Sequence, residues 1–239
     1  MNEISMEGMI GEPLPYLLRT DGMVTCILFC CMVLLSYVLA KGNKYLYHQL
    51  KSFATSRERA SMFDEVTVSD IRYTALLLFH SCLLIGFCIY YFLSATSPDL
   101  FFVTSHGYLL AGIVGGISVF LLLKYLLYSF VNWVFFQKAR NLLWVSAYLN
   151  VIVWIGLFLF PVILLVVYFG LSLHTAAYLV GAIIIFAKIA LFYKCFSNFF
   201  GNIHGLVHLI LYFCALEILP DLIMWKGIET VSNNLILNI

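Results

Sequence analysis

Between Arg140 and Lys188 the chain runs for 47 residues without a single Lys, Arg, Asp or Glu. A helix needs about 20 apolar residues to cross about 30 Å of hydrocarbon, so this run is too long for one crossing and right for two. Gly170, Ser172 and His174 supply the break, which predicts one span near Leu142–Phe169 and another near Leu173–Lys194. The composition agrees. Hydrophobic residues make up 63% of the 239 and charged residues 10%, against about 45–50% and about 25% in soluble domains. A mean hydropathy of +1.00 excludes an ordinary soluble enzyme. With 13 basic against 12 acidic residues, no global basic surface exists to attract nucleic acid by counterion release.

Other charge-free runs complete the count. One covers Gly22–Ala40 and stops at Lys41; another has its apolar core at Tyr73–Ala95. A third starts near Gly107, continues through Lys124 to about Phe136 and closes at Lys138 and Arg140. The last runs from about His204 to Trp225. The expected fold is therefore all-α, a polytopic transmembrane helical bundle of about six spans. It divides into an amino-terminal tail (1–21), a first span (22–40), a basic loop (41–72), a five-span bundle (73–225) and a closing tail (226–239). The first run reads as a retained span: it is 19 residues long, and Glu3, Glu7, Glu12, Arg19 and Asp21 make its approach acidic where a signal peptide is basic.

Lys and Arg mark the cytoplasmic side of membrane proteins. Six of them (Lys41, Lys44, Lys51, Arg57, Arg59, Arg72) lie in the 41–72 loop, and Lys138, Arg140 and Lys194 fall on the same face. Only Arg19 and Lys226 fall on the other. Nine against two predicts a cytoplasmic basic loop and both termini on the extracytoplasmic side. Within that loop Tyr45, Leu46, Tyr47 and Phe53 alternate with basic residues, as in an interfacial amphipathic helix. A solvated loop whose positives only set topology fits the same letters.

Charges inside a bilayer are costly, and each is a functional hypothesis. There are three: Lys124, Lys188 and Glu217. Both lysines sit in the cytoplasmic half of their spans and could snorkel to headgroups. Glu217 stands about 20 Å from the cytoplasmic end, with no such escape. The expected arrangement is an intramembrane polar network in which Glu217 pairs with Lys124 or Lys188; a proton or ion relay through Glu217 is the competing use. Pro220, three residues on, predicts a helix kink that frees a carbonyl near residue 216.

His204 and His208 share a helix face, and His80 lies at a similar depth, which makes a metal or bis-histidine haem site geometrically conceivable. Histidines hydrogen-bonded to neighbours or lipid fit equally, and no C-x-x-C-H or H-E-x-x-H accompanies them, so no cofactor is expected. The seven cysteines lie in or beside apolar runs without a C-x-x-C pair and read as small buried apolar residues. Gly112, Gly115 and Gly116 form a small-residue face suited to helix packing. Tyr37, Trp133, Trp144 and Trp225 read as interfacial anchors. No Walker A loop, nucleophile elbow or carboxylate dyad is present.

The stretch "LLLKYLLYSFVNWVFF", the Tyr148-Leu149-Asn150 segment and the closing "LYFCALEILPDLIMWKGI" resemble a bacterial family of multi-pass inner-membrane proteins that bears only a domain-of-unknown-function label. The resemblance runs from roughly the second span to the carboxyl end. Its most specific element is Cys214 to Pro220, with Lys124-Tyr125 second. It implies the topology, the bacterial cytoplasmic (inner) membrane and a shared role for Lys124 and Glu217, and it implies no activity. Asp221 departs from it, standing where an apolar residue is expected.

Three functions follow as expectations. The first is a non-catalytic scaffold or assembly component of an envelope complex. The second is a small ion- or proton-coupled transporter subunit using Glu217 with Lys124 or Lys188. The third is a haem- or metal-binding subunit using His80, His204 and His208. The balance leans away from an enzyme. The expected partners are the lipid bilayer and other membrane proteins, homo-oligomers included, and not nucleic acid.

Overall fold

The computed structural model describes residues 18–54, 68–96, 105–135, 138–197 and 206–237. These residues are helical and contain no strand. After a short 3-10 turn at Leu18–Thr20, α1 covers Gly22–Lys41 and α2 Asn43–Ala54. Then come α3 at Val68–Thr96, α4 at His106–Phe135, α5 at Lys138–Phe169 and α6 at Leu173–Cys195. The chain closes with α7 at Leu206–Phe213, a π-helical turn at Cys214–Ile218 and α8 at Leu219–Leu237.

Each boundary has a local cause. Asp21 caps α1 by accepting the N–H of Met23 at 2.8 Å, satisfying a donor that the first helical turn leaves orphaned. The break inside the 47-residue run falls after Phe169. Gly170 takes φ 63°, a left-handed conformation that ends helices and suits glycine. Two residues on, Ser172 caps α6 by accepting from Thr175 N–H at 3.3 Å.

Among the described residues five helices are long and apolar enough to cross a membrane by length and composition: α1, α3, α4, α5 and α6. The chain is thus built as a membrane protein. The segment expected as a sixth span is not among those five. The π-helical turn divides it, and helix continues well past Trp225 to Leu237.

The centre of the bundle is α5, which packs against α3, α4 and α6. One core cluster joins Leu28, Leu84, Phe87, Tyr90, Leu159 and Ile163; another gathers Tyr128, Trp144, Tyr148, Leu191 and Leu209. Trp144 is therefore not an interfacial anchor: its side chain is fully buried against Tyr128, whereas Tyr37, Trp133 and Trp225 are exposed. The cysteines divide too. Cys31, Cys88 and Cys195 are buried, while Cys26, Cys30 and Cys214 face outward.

Close helix approaches occur where a glycine removes a side chain. A Cβ on Gly156 of α5 would lie 2.1 Å from Ser81 Oγ and 2.8 Å from Ser81 Cα on α3. One on Gly86 would lie 2.7 Å from Val114 Cγ2 on α4. A Cβ at Gly112, Gly115 or Gly116 meets nothing within 4 Å. The small-residue face of α4 is thus not where the described helices close on one another. Clustered glycines give a helix the capacity for close approach, but not the neighbour that uses it.

Residues 43–54 of the basic loop form a helix docked on the bundle. Tyr45 turns inward and is buried among Val38, Leu77 and Val153. Its hydroxyl bonds Thr74 Oγ1 at 2.8 Å and accepts from Gln49 Nε2 at 2.6 Å, and Asn150 Nδ2 donates to Gln49 O at 3.1 Å. Lys44, Tyr47, Leu50 and Lys51 remain exposed. Burial holds the Tyr45 phenol above its usual range, against the opposing effect of its bonds to Thr74 and Gln49.

Candidate functional site

Helices α4 and α6 and the terminal segment, π-helical turn and α8 together, bring the charges singled out from the sequence to one place. Lys124 and Tyr128 are four apart on α4 and share a face, as do Glu217 in the π-helical turn and Asp221 at the start of α8. Lys188 comes from α6. Just before Pro220 the backbone widens: Leu219 N–H bonds to Cys214 O, an i to i−5 step. A proline ring clashes with the carbonyl four residues back in a regular α-helix, and the widened turn loosens the spacing where that clash would fall. Such turns recur at functional positions.

The four charges close into an alternating ring. Lys124 Nζ donates to Glu217 Oε2 at 2.7 Å and to Asp221 Oδ1 at 2.9 Å. Lys188 Nζ pairs with Glu217 Oε2 and, at 2.5 Å, with Asp221 Oδ2. Each lysine thus bridges both carboxylates, and each carboxylate both lysines. The Tyr128 hydroxyl donates to the remaining Glu217 oxygen, Oε1, at 2.6 Å. The Lys124 ammonium also lies 5.5 Å from the Phe120 ring centroid, a cation–π distance.

The ring has an inner and an outer side. The side chains of Lys124 and Glu217 are 4% and 1% exposed; those of Lys188 and Asp221 are 30% and 35% exposed. Aromatic residues wall the inner side, with Tyr128 packed at 5.3 Å from Trp144, 5.1 Å from Tyr148 and 6.0 Å from Tyr212. Toward the end of α4 the polar contacts continue: the Tyr212 hydroxyl donates to Asn132 Oδ1 at 2.7 Å, and Asn132 Nδ2 to Asn141 Oδ1 at 3.2 Å.

Isolated, each of these charges would cost several kcal/mol to bury. Two cations alternating with two anions give a neutral group in which every charge has two opposite neighbours. Chemically the ring clamps α4, α6 and the terminal helix together.

The three charges singled out from the sequence thus meet in one place. Asp221, set apart there only as a departure from the family pattern, is the fourth member, and Tyr128 was not singled out. Glu217 and Asp221 lie four apart, and that spacing is the signal that finds Asp221.

The histidines do not join this group. His80 is fully buried beside Phe160, ring centroids 5.7 Å apart, and neither ring nitrogen has a hydrogen-bond partner among the described residues. His204 lies outside the described residues, as does the side chain of His208. No cluster of three or more His, Cys, Asp or Glu side chains suited to a metal ion occurs among the described residues. Gly156 lets α5 approach α3 closely at Ser81, the residue next to His80.

The model of a family described as Domain of unknown function (DUF4271) matches residues 24–228, a stretch that includes all four ring members. No curated protein and no solved structure matches the chain.

Proposed function

Because the chain belongs to that family of unassigned activity, its helices and its buried charges are the guide, and we propose that it is a non-catalytic scaffold or assembly component of an envelope complex in the bacterial cytoplasmic membrane. One observation carries this reading: the ring spends its charge on itself. Glu217 takes two lysines on one oxygen and Tyr128 on the other, and Asp221 takes one lysine on each oxygen. A site that binds or relays cargo offers a charge to its cargo, whereas a neutral group whose charges are all paired with one another serves as a joint.

The outer surface supports the same reading. Gly112, Gly115 and Gly116 leave a face of α4 on which another membrane helix can lie close. The exposed Lys44 and Lys51 on α2 add a basic cytoplasmic edge. In this proposal the π-interrupted terminal segment is the sixth span, the 41–72 loop is cytoplasmic and both termini are extracytoplasmic. Nine of thirteen positives on one face support that orientation.

The test is purification of the tagged full chain from native membranes at low detergent. A defined membrane protein that copurifies, and is lost on Gly116→Leu, is the expected outcome. Proton or solute flux through the reconstituted chain, abolished by Glu217→Gln, would overturn it in favour of an ion-coupled subunit.

A further inference from the structure

The ring leaves bonding capacity at one edge. An ammonium has three N–H donors and a carboxylate about four acceptor sites. Lys188 directs two N–H groups to Glu217 and Asp221, and each Asp221 oxygen accepts one lysine. Among the described residues, one donor of Lys188 and one acceptor site on each Asp221 oxygen are left over on the two ring members that reach the surface. Lys188 lies seven residues, about 10 Å, from the end of α6. Two carboxylates hold its ammonium there, so it cannot extend to the headgroups. In hydrocarbon, unused polar capacity is costly.

The surroundings are apolar and open. Gly181, Ile184, Ile185 and Lys188 follow an i, i+3, i+4, i+7 pattern and share one face of α6. Ile184 and Ile185 are exposed, and a Cβ on Gly181 would meet nothing within 4 Å. On the terminal segment Ile218, Asp221, Leu222 and Trp225 follow the same pattern, and their apolar members are exposed. The result is an apolar patch that carries the remaining donor of Lys188 and the remaining acceptor sites of Asp221.

Such a patch complements itself. We propose that a second copy of this chain docks on it, with Lys188 of each copy donating to Asp221 of the other about a twofold axis along the membrane normal. Isologous contacts need a surface that offers both halves of every interaction, and this one does. Depth matches without adjustment. Lys188 and Asp221 touch within one copy at 2.5 Å, so they lie at one level, and rotation about the normal preserves that level. Any other membrane helix would have to bring a donor and an acceptor to that same depth. The inference is independent of the scaffold reading.

The test counts subunits of the labelled full chain in nanodiscs or dilute liposomes. Two per particle are expected, with at least a tenfold weaker association for Gly181→Trp, whose added side chain projects into open space and leaves the thermal unfolding of the chain unchanged. Gly112→Trp on α4 should leave the dimer intact. If Gly181→Trp does not fold, Ile185→Cys combined with Trp225→Cys replaces it, and should cross-link between copies above the level given by the native cysteines. Single copies at every density would overturn the proposal. So would a dimer broken by Gly112→Trp but not Gly181→Trp, or a different membrane protein found cross-linked to this face.

Discussion

Asp221 Oδ1 accepts a hydrogen bond from Lys124 Nζ at 2.9 Å across 97 positions of sequence. Through that contact the first turn of α8 is fastened to α4, and with Lys188 and Glu217 it completes a ring that is neutral only while all four members are present. Neutrality yields a specific prediction for Glu217→Gln. The variant leaves two lysines facing one carboxylate, an excess positive charge beside a side chain that is 4% exposed. Removing one partner of a buried ion pair costs about 3–5 kcal/mol. Thermal unfolding in detergent should show a loss of that size, and Lys188→Met added to Glu217→Gln should recover part of it by restoring neutrality. Additive losses in the double variant would show that the charges do not act as one unit.

Tyr128→Phe isolates the fifth partner. It keeps the ring packing against Trp144 and Tyr148 but strips Glu217 Oε1 of its 2.6 Å donor. A hydrogen bond to a charged group contributes about 1.5–3 kcal/mol. The expected stability loss lies in that range and should largely vanish when measured in the Glu217→Gln background, where the acceptor is no longer charged. An equal loss in both backgrounds would show that it does not come from the bond to the charged Glu217 carboxylate.

These expectations rest on residues that differ in how plainly the sequence marked them. Lys124, Lys188 and Glu217 stand out because charge is rare in apolar runs. Asp221 was obscured by its position after Pro220 near an expected span end, where an acid reads as the return to water. Tyr128 is one of 15 tyrosines, and only its four-residue offset from Lys124 distinguishes it. The limits of the five helices long enough to cross a membrane fall within about five residues of the charge-free runs, whereas the terminal segment stays helical 12 residues past the expected end at Trp225. Helix facing was not legible, since hydrophobic residues surround these helices on every side and leave little periodicity to read. Hence Trp144 reads as an anchor yet is buried, and the clustered glycines of α4 face outward while the lone Gly86 and Gly156 carry the close contacts.

Gly156→Ala should therefore be damaging and Gly112→Ala should not. The added methyl at 156 would collide with Ser81, including its backbone Cα at 2.8 Å, so a rotamer change cannot relieve it and α3 must move from α5. Overpacking of this kind costs about 1–3 kcal/mol. At Gly112 nothing lies within 4 Å, and alanine stiffens the helix. Parallel melting curves of the two variants give the comparison, and equal midpoints would refute the close α3–α5 approach. Ser81→Gly should rescue Gly156→Ala only in part, because the backbone contact persists.

The attachment of α2 gives a pH prediction. The Thr74 hydroxyl donates to Asp70 O at 2.7 Å, so the Tyr45 hydroxyl is the donor to Thr74 while it accepts from Gln49. Burial raises the pKa of this phenol above its ordinary value, about 10. The folded state thus holds the phenolic proton more tightly than the unfolded one. Its contribution is fully present below the ordinary pKa and is lost as pH rises through the higher folded value. Hydrogen exchange of the α2 amides should accelerate above about pH 10, in excess of the intrinsic rate increase. Tyr45→Phe, which lacks the donor at every pH, should weaken protection by about 0.5–1.5 kcal/mol near neutrality and show no further step on the alkaline side. If wild type and variant lose protection in parallel across that range, the Tyr45 hydroxyl does not hold α2 to α3, and the apolar contacts with Val38, Leu77 and Val153 hold it instead.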